Sequence, residues 1–129
     1  MFKAMADERR TVCVVDDDEV VRDSLAALLS RQYPVLEFAS GMDYLTRAAG
    51  IVSGCLLLDM HMPEMTGIEL LRILRAQGND VAAVMMTGRK DAAIEADAKA
   101  LGVVALLDKP ILHTVLYAAI EKALGREAA

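Results

Sequence analysis

Val12-Cys13-Val14-Val15-Asp16-Asp17-Asp18 is a short apolar run that stops on three carboxylates. The same design recurs three times further along. Cys55-Leu56-Leu57-Leu58 stops on Asp59, Ala82-Ala83-Val84-Met85-Met86 on Thr87, and Val103-Val104-Ala105-Leu106-Leu107 on Asp108 and Lys109. Runs this brief and this continuously apolar suit strands buried on both faces of a parallel sheet. In an open parallel sheet, ligands bind beyond the carboxyl ends of the strands. The pattern therefore predicts one sheet edge that gathers clustered carboxylates, a hydroxyl and an ammonium.

Helical spacing fills the intervals between these runs. Val21, Leu25, Leu28 and Leu29 recur as one helix face. Pro34 opens a weaker strand, Val35 to Phe38, which Glu37 interrupts, and a proline at its start suits a sheet edge. Ser40 with Asp43 resembles a capping box ahead of a short helix with Met42 and Leu45 inward. After Asp59 comes the loop Met60 to Met65. Thr66 and Glu69 then form a T-x-x-E capping box for a helix that buries Ile68, Leu71 and Leu74 and stops near Gly78-Asn79-Asp80. The segment from about Lys90 to Ala100 is mostly alanine and charge, with Ile94 and Leu101 its large apolar residues. It should bury little area and be the least firmly docked helix. The last helix carries the clearest stripe: Leu112, Val115, Leu116, Ala119, Ile120, Ala123 and Leu124, with Gly125 expected to end it. Alternating strands and helices with right-handed crossovers predict one α/β domain over residues 9–125. Its expected form is a doubly wound five-stranded parallel sheet, order 2-1-3-4-5, with five helices on two faces.

Bulk properties agree. A chain of 129 residues fits one domain and can build a core without disulfides. Its 55% hydrophobic content and mean hydropathy of +0.34 argue against disorder. No apolar run approaches the ~18 residues of a membrane helix. The opening stretch Met1 to Arg10 lacks the apolar core of a signal peptide, so a cytoplasmic location is expected. Cys13 and Cys55 lie inside apolar runs and read as buried reduced thiols. Neither has ligand spacing to His61 or His113. A net charge of -5 and a pI near 5.0 argue against this domain gripping a nucleic-acid backbone by itself. DNA binding by a further domain stays open.

Several carboxylates at one rim repel one another and raise each other's pKa. A divalent cation resolves the conflict. Hard oxygen donors without a His or Cys set point to Mg²⁺, which takes one or two carboxylates and completes its shell with water and phosphate oxygens. One carboxylate can then act as nucleophile on a phosphoryl group and give an acyl phosphate. A lysine and a metal neutralise the transferring group, and a threonine hydroxyl can donate to it. Asp17, Asp59, Thr87 and Lys109 offer those groups.

These residues resemble the receiver domain of two-component response regulators. The matching segments are Val14-Val15-Asp16-Asp17, Leu58-Asp59-Met60-His61-Met62-Pro63-Glu64-Met65-Thr66-Gly67, Met86-Thr87-Gly88 and Asp108-Lys109-Pro110, in order from about Thr11 to Leu124. The resemblance implies that Asp59 is the phosphoacceptor, and that Asp16, Asp17 and Asp59 hold Mg²⁺ with the backbone carbonyl of Met60. It implies that Thr87 and Lys109 contact the phosphoryl group, that His61 and Arg89 tune hydrolysis, and that the Lys109–Pro110 peptide is cis. It also implies a sensor histidine kinase or histidine phosphotransfer protein as donor. It further implies an output surface of the fourth helix, fifth strand and fifth helix, read by an output domain or partner protein or by a phosphorylation-dependent dimer. Leu106 departs from the family, which commonly has Tyr or Phe three positions before the lysine. Leucine has no ring to turn inward, so the switch works through backbone and helix movement, or the output is rerouted. Asp18 extends the acidic pair and reads as a helix N-cap. Met60, Met62 and Met65 read as packing for an irregular loop.

Two other readings compete. A small Mg²⁺-dependent phosphatase would use the pattern Asp16-x-Asp18-x-Val20, but it leaves Asp59 without a role. A phosphate-independent interaction module would draw only on Leu106.

Overall fold

The computed structural model describes residues 9–48 and 50–128. Residues 1–8 of the charged opening Met1 to Arg10, which lacks a signal-peptide core, lie outside the described residues. Five strands and five helices alternate among the described residues: β1 (Val12–Val15), α1 (Glu19–Leu29), β2 (Val35–Phe38), α2 (Gly41–Ala48), β3 (Cys55–Asp59), α3 (Gly67–Ala76), β4 (Ala82–Thr87), α4 (Ala92–Ala100), β5 (Ala105–Asp108) and α5 (His113–Ala128). The sheet is parallel throughout in the order β2-β1-β3-β4-β5, as expected. None of the described helices is long and apolar enough to cross a membrane.

Side chains alternate across the central strands and divide the core in two. Cys13, Val15, Leu56, Leu58, Ala83 and Met85 pack with α2, α3 and Ala98 of α4. Val12, Val14, Cys55, Leu57, Val84 and Met86 pack with Leu29 of α1 and Leu116, Ile120 and Leu124 of α5. The cysteines are buried free thiols that belong to opposite layers. Burial pushes the Cys55 thiol well above its ordinary value.

Four details differ from the expectations. The run at Val103 enters the ladder as β5 only at Ala105, and as the outer strand it is half-buried on average, not sealed on both faces. In α2 the inward residue is Tyr44, while Met42 is exposed. The larger ring buries more area, and it meets Phe38 edge-on with centroids 5.1 Å apart. Leu45 does pack against the core. Leu112 precedes α5 and is exposed, as is Val115, so the buried stripe starts at Leu116. Finally, α5 runs through Gly125 to Ala128. A glycine inside a helix costs only about 1 kcal/mol and need not end it.

Local signals behaved as sequence rules require. Asp18 caps α1 by accepting from the amides of Val20 and Val21. Both halves of the Thr66–Glu69 box form. The Ser40 hydroxyl accepts from the Asp43 amide, and the Asp43 carboxylate reaches back to the amide of Ala39. Only Ala98 of α4 is buried, which matches a weakly docked helix. On the loops that enter β4 and β5, Arg75 donates to the carbonyls of Val81 and Leu101, both at 2.9 Å. That end of the sheet is thereby pinned, away from the carboxyl ends where the chemistry lies.

Candidate functional site

The chain leaves β1 for α1 on one face and leaves β3 for α3 on the other. A crevice opens between the carboxyl ends of two adjacent strands whose connections diverge. Asp16 and Asp17 follow β1, Asp59 ends β3, Thr87 ends β4, and Lys109 follows β5. One carboxylate oxygen from each of Asp16, Asp17 and Asp59 lies within 4.8 Å of the others, with Asp16 and Asp59 buried and Asp17 exposed. Lys109 Nζ stands 3.1 Å from Asp59 Oδ1 and 3.8 Å from Asp16 Oδ2. The expected meeting of carboxylates, hydroxyl and ammonium at one rim is what the structure holds.

Each group is set by its own strand end. Asp16 Oδ1 accepts from the Asp18 amide at 3.0 Å, and Arg22 Nη1 donates to the Asp16 carbonyl at 2.8 Å. Asp16 Oδ2 is buried and accepts no hydrogen bond among the described residues. Burial is the main force raising the Asp16 carboxyl above its ordinary value. The charges of Asp59 and Asp17 push the same way, while the Asp18 amide and Lys109 pull back. Asp59 Oδ1 also accepts from the His61 amide at 3.3 Å. Lys109 is held by its own amide, which donates to the Thr87 carbonyl at 2.9 Å. The Lys109–Pro110 peptide is cis, as the resemblance implied.

The loop after β3 is fitted closely to this rim. The Met60 amide donates to Met86 O, and the Met60 carbonyl accepts from Gly67 N at 3.0 Å. A Cβ on Gly67 would come within 2.7 Å of the Asp59 carbonyl oxygen and 3.1 Å of Met60 Cα. Residue 67 must therefore be glycine for lack of space, a role its place in the motif did not disclose. Met62 is buried, and Met60 and Met65 pack against the core, so the methionines fill the loop as expected. Glu64 takes a left-handed φ of 68°.

The secondary candidates separate. His61 is exposed, yet its Nε2 lies 2.9 Å from Thr87 Oγ1. Arg89 reaches the same hydroxyl with its backbone amide at 3.1 Å, and the residue is otherwise exposed. Asp108 is exposed and pairs with Lys90 at 3.6 Å, apart from the acidic cluster. Asp18 spends its carboxylate on the cap of α1, so the Asp16-x-Asp18 pattern of a phosphatase loses its second acid. Leu106 is half-buried beside the core and lines, with Lys90, Ala98, Lys99 and Val103, a groove of ≈ 340 Å³ between α4 and β5.

Three close carboxylates, one bearing a buried oxygen without a hydrogen bond, are suited to a hard divalent cation. The donor set offers no thiolate or imidazole of the kind zinc favours.

Fold and rim together define a class: a doubly wound α/β module with an acidic crevice at the carboxyl ends of its strands. The family model of the response regulator receiver domain matches residues 12–121. The transcriptional regulatory protein FixJ of Azorhizobium caulinodans is 38% identical over 122 residues, which covers 94% of this chain and 58% of that protein. The tetrathionate response regulatory protein TtrR of Salmonella typhimurium is 36% identical, over 88% of this chain and 56% of its own length. Among solved structures, that of FixJ-N superposes with a TM-score of 0.85 at 36% identity and covers 93% of this chain and 97% of that one. The chain belongs to the response regulator receiver family and is a receiver of two-component signalling. It spans less than two thirds of the length of these full-length relatives.

Proposed function

We propose that Asp59 is the phosphoacceptor of a Mg²⁺-dependent receiver spanning residues 9–125, charged by a histidine kinase or a histidine phosphotransfer protein. The observation that carries this reading is Lys109 Nζ, 3.1 Å from Asp59 and 3.8 Å from Asp16, at the mouth of a three-carboxylate cluster. An oxygen of Asp59 attacks phosphorus while the P–N bond of the donor phosphohistidine breaks. The imidazole leaves with the electron pair and takes up a proton, and an acyl phosphate remains. Lys109 stays beside the acceptor and offsets the negative charge that arrives with the phosphoryl group. The Thr87 hydroxyl donates to one phosphoryl oxygen once it turns from its resting partners. Asp16, Asp17, Asp59 and the Met60 carbonyl are the groups that would hold Mg²⁺. When bound, the ion would neutralise the acidic cluster and charge on the phosphoryl oxygens. Water later hydrolyses the acyl phosphate, so the domain assists its own charging and discharge without turnover of an external substrate.

Movement of Thr87 toward the acceptor pulls on the end of β4 and on α4. The weak anchorage of α4 makes it a suitable two-state element, and a ligand can bias such an element only by binding one state better. Leu106 and the groove beside it lie on the α4-β5-α5 surface that an output domain, a partner protein or a second copy would read. A cytoplasmic setting goes with this reading. The test is incubation with Mg²⁺ and acetyl phosphate, followed by intact mass. One added phosphoryl group is expected on the parent and none on Asp59→Asn. An equal gain on the variant would remove Asp59 as acceptor.

A further inference from the structure

Thr87 is buried at the end of β4, and its hydroxyl is already engaged twice. The Arg89 amide donates to Oγ1 at 3.1 Å, and His61 Nε2 lies 2.9 Å from the same atom. A hydroxyl has one proton and two lone pairs. If Nε2 accepts, the only proton is spent on His61. If Nε2–H donates, it and the Arg89 amide fill both lone pairs. In either tautomer the hydroxyl is held by a side chain from the loop after β3. We infer that His61 is a positioning residue that latches Thr87 in the resting state; this rests on Thr87 being the hydroxyl that answers the phosphoryl group.

The latch spans two neighbouring strands. Asp59 and Met86 are register partners, so His61 and Thr87 extend from adjacent strand ends. The contact ties the acceptor loop to the segment that leads into α4. Answering the phosphoryl group takes the Thr87 hydroxyl off Nε2, so charging Asp59 breaks this contact and the latch favours the uncharged state. Its strength is that of one ordinary net hydrogen bond, which shifts an equilibrium by about fivefold. Because the ring is exposed, water can take its place without a cavity.

Beryllofluoride with Mg²⁺ provides a phosphoryl stand-in that does not transfer, so its affinity is free of any effect on hydrolysis. With ¹⁹F NMR as readout, His61→Ala is expected to bind it about fivefold tighter than the parent. His61→Gln, which can still reach Oγ1 with its amide, is expected to stay near the parent. In a Thr87→Ala background the His61→Ala effect is expected to vanish, because the latched hydroxyl is gone. A fivefold change that persists without the Thr87 hydroxyl would overturn the latch and make His61 act on the phosphoryl group directly. So would an unchanged affinity in His61→Ala. Without beryllofluoride, the His61 Nε2 resonance is expected to move on Thr87→Val, and an unmoved resonance also sinks the proposal. A parent that binds no beryllofluoride brings down the receiver chemistry and the latch together, whereas binding without His61–Thr87 coupling brings down the latch alone.

Discussion

Gly67 shows how one residue can serve a site without touching its chemistry. A methyl at this position would press on the Asp59 carbonyl from 2.7 Å. Gly67→Ala is expected to destabilise the fold by about 1–3 kcal/mol through overpacking, read by urea denaturation, and to slow charging because Asp59 is displaced. An unaltered midpoint would contradict the crowding. Asp16 makes the opposite prediction. Its folded pKa is raised, chiefly by burial, above the ordinary carboxyl value of 3.8. Below that value both states are protonated and the site costs nothing. As pH climbs from there through the raised folded value, the unfolded chain gives up its proton first, and stability falls. Above the raised value the full cost persists. Asp16→Asn is therefore expected to stabilise the metal-free protein at neutral pH by about 1–3 kcal/mol, to lose that gain under acid conditions, and to weaken stabilisation by added Mg²⁺. Thermal melts across pH with and without Mg²⁺ check all three, and a destabilised variant at neutral pH would reject the sign. The meeting of Asp16, Asp17, Asp59 and Lys109 at one rim was legible in the sequence because each stands where an apolar run stops. The contacts among them were not, since no spacing rule puts His61 Nε2 beside Thr87 Oγ1.

At the scale of elements, caps and periods carried most of the information. Thr66 and Glu69 form their reciprocal box at the head of α3. Thr66→Ala is expected to cost about 1 kcal/mol, and a chemical denaturation midpoint measures it. The α4 amides are expected to exchange with solvent faster than those of α3 or α5, because Ala98 alone anchors that helix to the core. Hydrogen-exchange mass spectrometry resolves the three helices, and protection of α4 equal to α3 would contradict weak docking. Where the period misled, a competing contact decided. In α2 the choice between Met42 and Tyr44 was settled by the ring of Phe38, which lies in another element. At the head of α5, Leu112 and Val115 continue the stripe on paper but stand beyond the ground that the sheet covers. Gly125 could not stop α5 because an interior glycine costs a helix little.

For the whole molecule, strand order followed from few facts. Continuous apolar runs demand helices on both faces, right-handed crossovers prune the topologies, and Pro34 with Glu37 sends β2 to an edge. The strand order in turn puts β1 beside β3, and so Asp16 and Asp17 beside Asp59, although more than forty residues of chain separate them. What no sequence pattern contained was the unequal burial of the three acids, which leaves Asp16 Oδ2 without a hydrogen bond. This convergence is expected to make Asp59 the covalent acceptor. The most direct measurement is borohydride trapping after incubation with Mg²⁺ and acetyl phosphate, with the reduced position read by peptide mass sequencing. Reduction at residue 59, dependent on Mg²⁺, is the predicted result. Reduction at residue 16 or 17, or at none of the three while phosphate is taken up, would contradict it.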